Sequence, residues 1–346
     1  MINKRIKIDY DKEKIAITTI CSHSSLQIFH GARQEGFRTI GICTKEQERL
    51  YSSFPLASPD RLIVVERFAD LLQENIQEEL LRENAIIIPH GSFVEYVGAT
   101  EILSSFSVPL FGNKAVLPWE SDRAKQREWM LSAEIAVPKA YSDIAAVDGP
   151  VIAKLSGAKG GRGLVSARNG QELANKLDAK MLDQYTIQEY IFGSRYYPHY
   201  FYSQIRSRLE ILGIDRRDET DIDELYRYRD FIDHPPSYVV VGNQPLVVRE
   251  SLLGKIMKYG EGLVETSRRL FSPGLFGPFC LEMVCTADMK FVAFEVSARI
   301  VAGTNLYPLG SPYSPYYFTE AMSTGRRIAR EIREAASQNR LDEIIS

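Results

Sequence analysis

The chain has 346 residues, 45% hydrophobic and 25% charged, the mix of a globular protein with room for two or three domains. A net charge of −3 gives no global basic field to draw nucleic acid, and no window approaches the 18 apolar residues of a membrane span, so neither partner is expected. The four cysteines, Cys21, Cys43, Cys280 and Cys285, form no Cys-x-x-Cys pair, so reduced thiols in a cytoplasmic protein are expected rather than a zinc site.

The charged opening, residues 1–9, lacks the apolar core of a signal peptide. Residues 15–20 read as a short buried strand, followed by the polar break Cys21-Ser22-His23-Ser24-Ser25. Leu26, Ile28, Phe29 and Ala32 then recur at helical spacing up to Gly36. Further short apolar strands fall at 39–43, 62–65, 86–89 and 108–112, with a helix over 68–83. Strands alternating with helices predict an α/β domain, residues 1–118, built on a doubly wound parallel sheet. Ligands of such sheets bind beyond the carboxyl ends of the strands, where the loops at 21–25 and at His90-Gly91-Ser92-Phe93 are expected. Ser24 or Ser25 is suited either to cap the first helix or to help form an anion site at its start.

A second region, 119–193, opens with a helical stretch over 120–132. After Pro138 comes the apolar strand 151–153, then Lys154, then Gly157-Ala158-Lys159-Gly160-Gly161-Arg162-Gly163, then the strand 164–167. Strand, lysine, glycine loop and strand make a hairpin that can fold over a polyphosphate, because glycine lets backbone N–H groups approach phosphate oxygens and the cations offset their charge. It is not the strand-to-helix phosphate loop, since no Gly-Lys-Ser/Thr opens a helix. Taken alone, the run is also compatible with an ordinary basic hairpin. The strand 187–191 closes the region at Gly193.

The third region, 194–346, is richer in strands, at 200–203, 209–214, 238–241, 279–284 and 291–296, with a mostly helical stretch over 318–345. Glu282 and Glu295 sit in two apolar strands joined by a short turn. Antiparallel pairing brings the carboxylates together, which is costly unless a cation bridges them. Mg²⁺ held by one or two carboxylates plus substrate phosphates resolves the conflict. Two solvent-facing glutamates are the plainer alternative. Glu295, Ser297 and Arg299 share one strand face, adding a hydroxyl and a guanidinium suited to a phosphoryl or carboxylate group.

The lysine strand, glycine hairpin, Gln188-Glu189-Tyr190-Ile191 and the Glu282/Glu295-x-Ser297-x-Arg299 pair resemble the ATP-grasp ligases. Ser297 stands where that family usually carries Asn. The separated blocks Cys21-Ser22-His23-Ser24-Ser25-Leu26, Pro89-His90-Gly91-Ser92-Phe93, Gly112-Asn113, the 157–163 run, Gly242-Asn243, residues 249–253, residues 277–281 and Ser297-Ala298-Arg299 are similar to the archaeal formate-dependent FAICAR synthetases, with Cys21 where Gly is usual. The resemblance runs from about residue 15 onward. It implies an α+β chain with an ATP-grasp fold after the parallel-sheet domain, divided at 119–193 and 194–346. It implies a ligase that joins formate to aminoimidazole-carboxamide ribotide (AICAR) with ATP, in purine biosynthesis. It implies AICAR contacts at His23, Ser24, Ser92 and Asn243, and ATP contacts at Lys154, Gly157, Lys159, Gly160, Gly161, Gly163, Gln188, Glu189, Tyr190, Ile191 and Glu219. It further implies Mg²⁺ or Mn²⁺ at Glu282 and Glu295, catalytic roles for Lys154 and Arg299, and a homo-oligomer, with a hexamer as its suggested form. Two other readings stay open here. One is a ligase of the same fold for a different acid or amine. The other is a nucleotide-binding protein without turnover, against which the complete Lys154, Glu282, Glu295 and Arg299 set argues.

Overall fold

β1 (Ala16–Ile20) is buried at every residue, as a parallel strand covered on both faces must be. The computed structural model that shows this describes residues 10–155, 163–177, 184–220 and 237–346. β1 joins β2 (Arg38–Thr44), β3 (Arg61–Val65) and β4 (Ala85–Ile87) in a parallel sheet of order β3-β2-β1-β4. The order reverses between β1 and β4, so the loops after these two strands flank the crevice that such sheets offer to ligands.

The fifth strand expected at 108–112 is reduced to two isolated bridges, Leu110 to Ile87 in parallel and Phe111 to Ile345 antiparallel. Pro109 has no N–H to donate, and the Leu110 N–H turns away to the Ser346 carbonyl at 3.1 Å. The helix expected over 120–132 is two, Leu117–Ser121 and Arg123–Ser132. Asp122 separates them, its carboxylate accepting from the N–H groups of Ala124 and Lys125 at 2.8 and 3.0 Å. The helical stretch expected over 318–345 is regular only at Thr324–Ser337. It packs on the helix Ser25–Gln34 at Gly31, where a Cβ would fall 2.1 Å from the Arg326 nitrogen.

The second sheet, antiparallel, contains β5 (Ala140–Tyr141), β6 (Val151–Leu155), β7 (Leu164–Ala167) and β8 (Tyr185–Glu189) in the order β5-β8-β6-β7. Gly157, Lys159, Gly160 and Gly161 lie outside the described residues.

The third sheet contains β9 (Ser194–Ser203), β10 (Arg208–Glu219), β11 (Val240–Pro245), β12 (Gly277–Cys285) and β13 (Phe291–Ser297), antiparallel in the order β11-β10-β9-β12-β13. Ile256, Tyr259 and Leu263 of the helix Glu250–Leu270 join Tyr200, Ile211 and Phe279 in one apolar core. β10 runs on to Glu219, past the strand expected at 209–214. At its polar end Asp215, Arg217 and Glu219 alternate onto one face and find partners there in Asn243, Glu282 and Arg195. Among the described residues no helix is long and apolar enough to cross a membrane.

Candidate active site

A cavity of about 770 Å³ collects residues from both antiparallel sheets and from the segments that follow β1 and β4. Sequence reasoning placed Glu282 and Glu295 side by side, and they are paired directly across β12 and β13. Glu282 is buried, and both its oxygens accept from Arg217, at 2.6 and 2.8 Å. Burial pushes the Glu282 carboxyl up, and Arg217 opposes that shift. Glu295 has a looser cation, Arg123, at 3.8 Å. Arg217 is itself stacked on Tyr197, 4.0 Å from the ring centre. Ser297 is buried and lines the cavity beside the glutamates.

Lys154 lies on β6 between Leu164 and Thr186 and is buried, its ammonium 4.9 Å from the centre of the Phe294 ring. Burial lowers its pKa to about 8, against the pull of Glu295. Gln188, Glu189, Tyr190 and Ile191 line the same cavity, as does Glu219, which is buried against Arg195. Gly163 takes φ 66° and accepts the Leu155 N–H at 3.0 Å, closing the hairpin; it does not line the cavity.

From beyond the ends of the parallel strands come His23, after β1, and Ser92, in the first turn of a helix Gly91–Val97 where a loop was expected. His23 has φ 53°, an uncommon conformation for a residue with a side chain. Its ring stacks on His90, centroids 5.3 Å apart and planes at 4°. Burial, then His90, Arg299 and Arg217, hold its imidazole well below the usual range, so it is neutral at pH 7. Gly91 makes the approach possible: a Cβ there would stand 3.0 Å from His23 Nε2 and 3.4 Å from Arg299 Cζ. Ser92 accepts from the Ser22 hydroxyl at 3.0 Å. Ser24 is buried and does not line the cavity. Its hydroxyl reaches the Val301 carbonyl at 3.2 Å and makes no capping bond to the helix.

Arg299 lines the cavity with its Nε 3.1 Å from Glu120 Oε1, while Glu120 Oε2 accepts the Ala298 N–H at 3.1 Å. Asn243 also lines it and donates to Asp215 at 2.6 Å. Glu120, Arg123, Arg195, His199, Asp215 and Arg217 were not singled out from the sequence. The signal was present in two alternating runs, Arg195-x-Tyr197-x-His199 and Asp215-x-Arg217-x-Glu219, which put polar residues on one strand face.

Among the described residues no three His, Cys, Asp or Glu side chains cluster as a metal cage. The opposed pair Glu282 and Glu295 nevertheless suits a hard divalent cation that takes its other ligands from phosphate and water.

The fold and site define an ATP-grasp ligase. The chain resembles N5-carboxyaminoimidazole synthetase from Staphylococcus aureus complexed with ADP (TM-score 0.67, 12% identity, 94% of this chain and 80% of that one). It also resembles the biotin carboxylase domain of a Hydrogenobacter thermophilus 2-oxoglutarate carboxylase with MgADP (0.62, 14%, 91% and 69%); at such identity the likeness speaks for the fold. An IMP biosynthesis protein PurP from Thermococcus kodakaraensis is nearer, with TM-score 0.77 and 33% identity over 95% of this chain and all of that one. Families described as a protein of unknown function (DUF1246) and a domain of unknown function (DUF1297) match residues 17–141 and 168–346. The chain is 52% identical to the 5-formaminoimidazole-4-carboxamide-1-(beta)-D-ribofuranosyl 5'-monophosphate synthetase 1 of Methanosarcina mazei, over 98% of this chain and 97% of that one. It is 50% identical to the synthetase of Korarchaeum cryptofilum, over 97% and 96%. The chain belongs to this synthetase family.

Proposed function

We propose that the protein formylates AICAR, using ATP and formate and releasing ADP and phosphate, in the cytoplasmic synthesis of purine nucleotides. The observation that carries the reading is the convergence of Lys154, Arg299, His23 and the in-register pair Glu282–Glu295 on one cavity. Formate is a poor acyl donor because its leaving group would be oxide. Transfer of the ATP γ-phosphoryl to a formate oxygen breaks the β–γ phosphoanhydride bond, releases ADP and gives formyl phosphate. The AICAR amine then attacks the formyl carbon, phosphate departs, and the nitrogen loses a proton.

Glu282 and Glu295 would hold Mg²⁺ or Mn²⁺, which supplies charge neutralisation at the phosphates. Lys154 would meet the same phosphates from β6, and Gln188 to Ile191 would line the adenine, with Glu219 on the ATP side. The site makes little new bonding in the first step, so its contribution is position and charge. Arg299, braced by Glu120, presents its guanidinium to the formyl phosphate. The Nδ1 of neutral His23 is bonded to the Ser24 hydroxyl at 2.8 Å, which leaves Nε2 to meet AICAR, next to Ser92. The glycine hairpin would cover the acyl phosphate and keep water from hydrolysing it.

ADP release tests the reading. It should need ATP, formate and AICAR together, with FAICAR as the nucleotide product. Turnover that is indifferent to formate, or that proceeds equally with acetate, sinks it and favours a ligase for another acid.

A further inference from the structure

β10 and β11 pair antiparallel with Arg217 opposite Asn243 and Asp215 opposite Pro245. Asn243 thus reaches diagonally across the ladder to Asp215, donating from Nδ2 to Oδ2 at 2.6 Å. Asp215 is fully buried, and its other oxygen stands 2.8 Å from His199 Nε2. The backbone of Gly303 closes over it: a Cβ at Gly303 would lie 2.5 Å from Oδ1. Burial raises the Asp215 carboxyl, but His199, Arg217 and Asn243 outweigh that and hold it below the usual range, so it is ionised. An ionised carboxylate only accepts hydrogen bonds. The Asn243 amide therefore has one permitted orientation, nitrogen to Asp215 and oxygen away from it. No other bond of the Asn243 side chain is found among the described residues, and Asn243 and Gly303 both line the cavity.

We propose that Asp215 is a positioning residue that fixes the Asn243 amide with its oxygen toward the cavity, so that this position takes a neutral hydrogen-bond donor of the substrate nucleotide, an exocyclic N–H or a ribose O–H, and not its phosphate. The proposal rests on Asn243 belonging to the AICAR subsite. An amide turned the other way would present N–H groups and welcome a phosphate. Turned this way it sets an oxygen against phosphate oxygens, which repel it. A direct role for Asp215 in the chemistry is not needed, since Asn243 and Gly303 stand between it and the cavity.

The test is equilibrium binding of AICAR and of its nucleoside, which lacks the 5′-phosphate, to the full-length protein. Asn243→Ala should weaken both ligands by the same factor, about tenfold or more, with binding of a non-hydrolysable ATP analogue unchanged. Asp215→Asn, which lets the amide turn over, should weaken AICAR similarly. In the Asn243→Ala background it should add nothing, because it acts through that residue. A full additional loss in the double variant means Asp215 is only structural and overturns the proposal. So does a loss seen with AICAR but absent with the nucleoside, which would put Asn243 on the phosphate. If Asp215→Asn does not fold, the comparison of the two ligands on Asn243→Ala decides alone. AICAR affinity untouched by Asn243→Ala removes Asn243 from the subsite and overturns the proposal, yet leaves formate-dependent ADP release standing as the separate measure of the reaction.

Discussion

The parallel sheet and the five-stranded antiparallel sheet contribute to one cavity in different ways. β1 and β4 are buried throughout, so chemistry can sit only beyond their ends, at His23 and Ser92. β9, β10, β12 and β13 have one face on the core helix and one on the cavity, so alternate residues within the strands carry charge. A loop residue is held by whatever surrounds it; a strand residue is held by the ladder. Substitutions on the antiparallel face should therefore strike turnover and spare the fold, whereas those at the ends of the parallel strands should mix binding with stability.

Glu295→Gln is the sharpest way to break that contrast. It should lower kcat about a thousandfold, or about 4 kcal/mol of barrier, with an unchanged melting temperature. Near-normal ADP release at saturating Mg²⁺ would remove Glu295 from the metal site. Lys154→Met should cost about a hundredfold in kcat/KM for ATP, about 3 kcal/mol, and leave AICAR affinity alone. A loss confined to AICAR would put Lys154 in the other subsite.

On the parallel side, His90 is fully buried and donates from Nε2 to the Ile20 carbonyl at 3.0 Å. Burial is the main reason its pKa falls from 6.5 to about 4. Above pH 6.5 both folded and unfolded forms are neutral and the group has no pH effect. As pH drops through 6.5 the unfolded chain takes up a proton that the folded one refuses, so stability falls by about 3 kcal/mol by pH 4. Chemical denaturation at stepped pH should show this slope, and His90→Gln, which keeps a donor but does not titrate, should flatten it. An unchanged slope would mean other groups set the acid limb. The smallest effect expected is His23→Ala, about 1–3 kcal/mol of AICAR binding, read by titration calorimetry beside the melting curve. A lower melting temperature with intact AICAR affinity would make His23 a brace for its loop.

Where burial follows hydropathy, the fold was legible. The strands of the parallel sheet, and the facing of Glu282 and Glu295 across one turn, follow from apolar runs and period two. Residues 108–112 misled because one proline removes a donor without altering hydropathy. Asp122 misled in the opposite sense, since a cap inside a helical pattern looks like an ordinary polar residue. The end of β10 was hidden because its charged residues are satisfied by side chains of β9, β11 and β12, 24 to 65 positions away. His23, Asn243 and the two glutamates were found through the resemblance or their own chemistry. Arg217 acts on Glu282, Asp215 on Asn243 and Glu120 on Arg299, and only three-dimensional proximity reveals that.

The helix Thr324–Ser337 has a bearing on biosynthesis. Ile328, Ala329 and Ile332 complete the apolar layer begun by Ile17, Ile28 and Ala32. Arg330 reaches back across 295 positions to Glu35, which Arg326 and Arg333 also engage. While a ribosome is still making the middle of the chain, the helix Ser25–Gln34 on the parallel sheet therefore lacks its partner. The nascent protein lacks that apolar cover, and the arginines that pair with Glu35, until residue 337 has emerged.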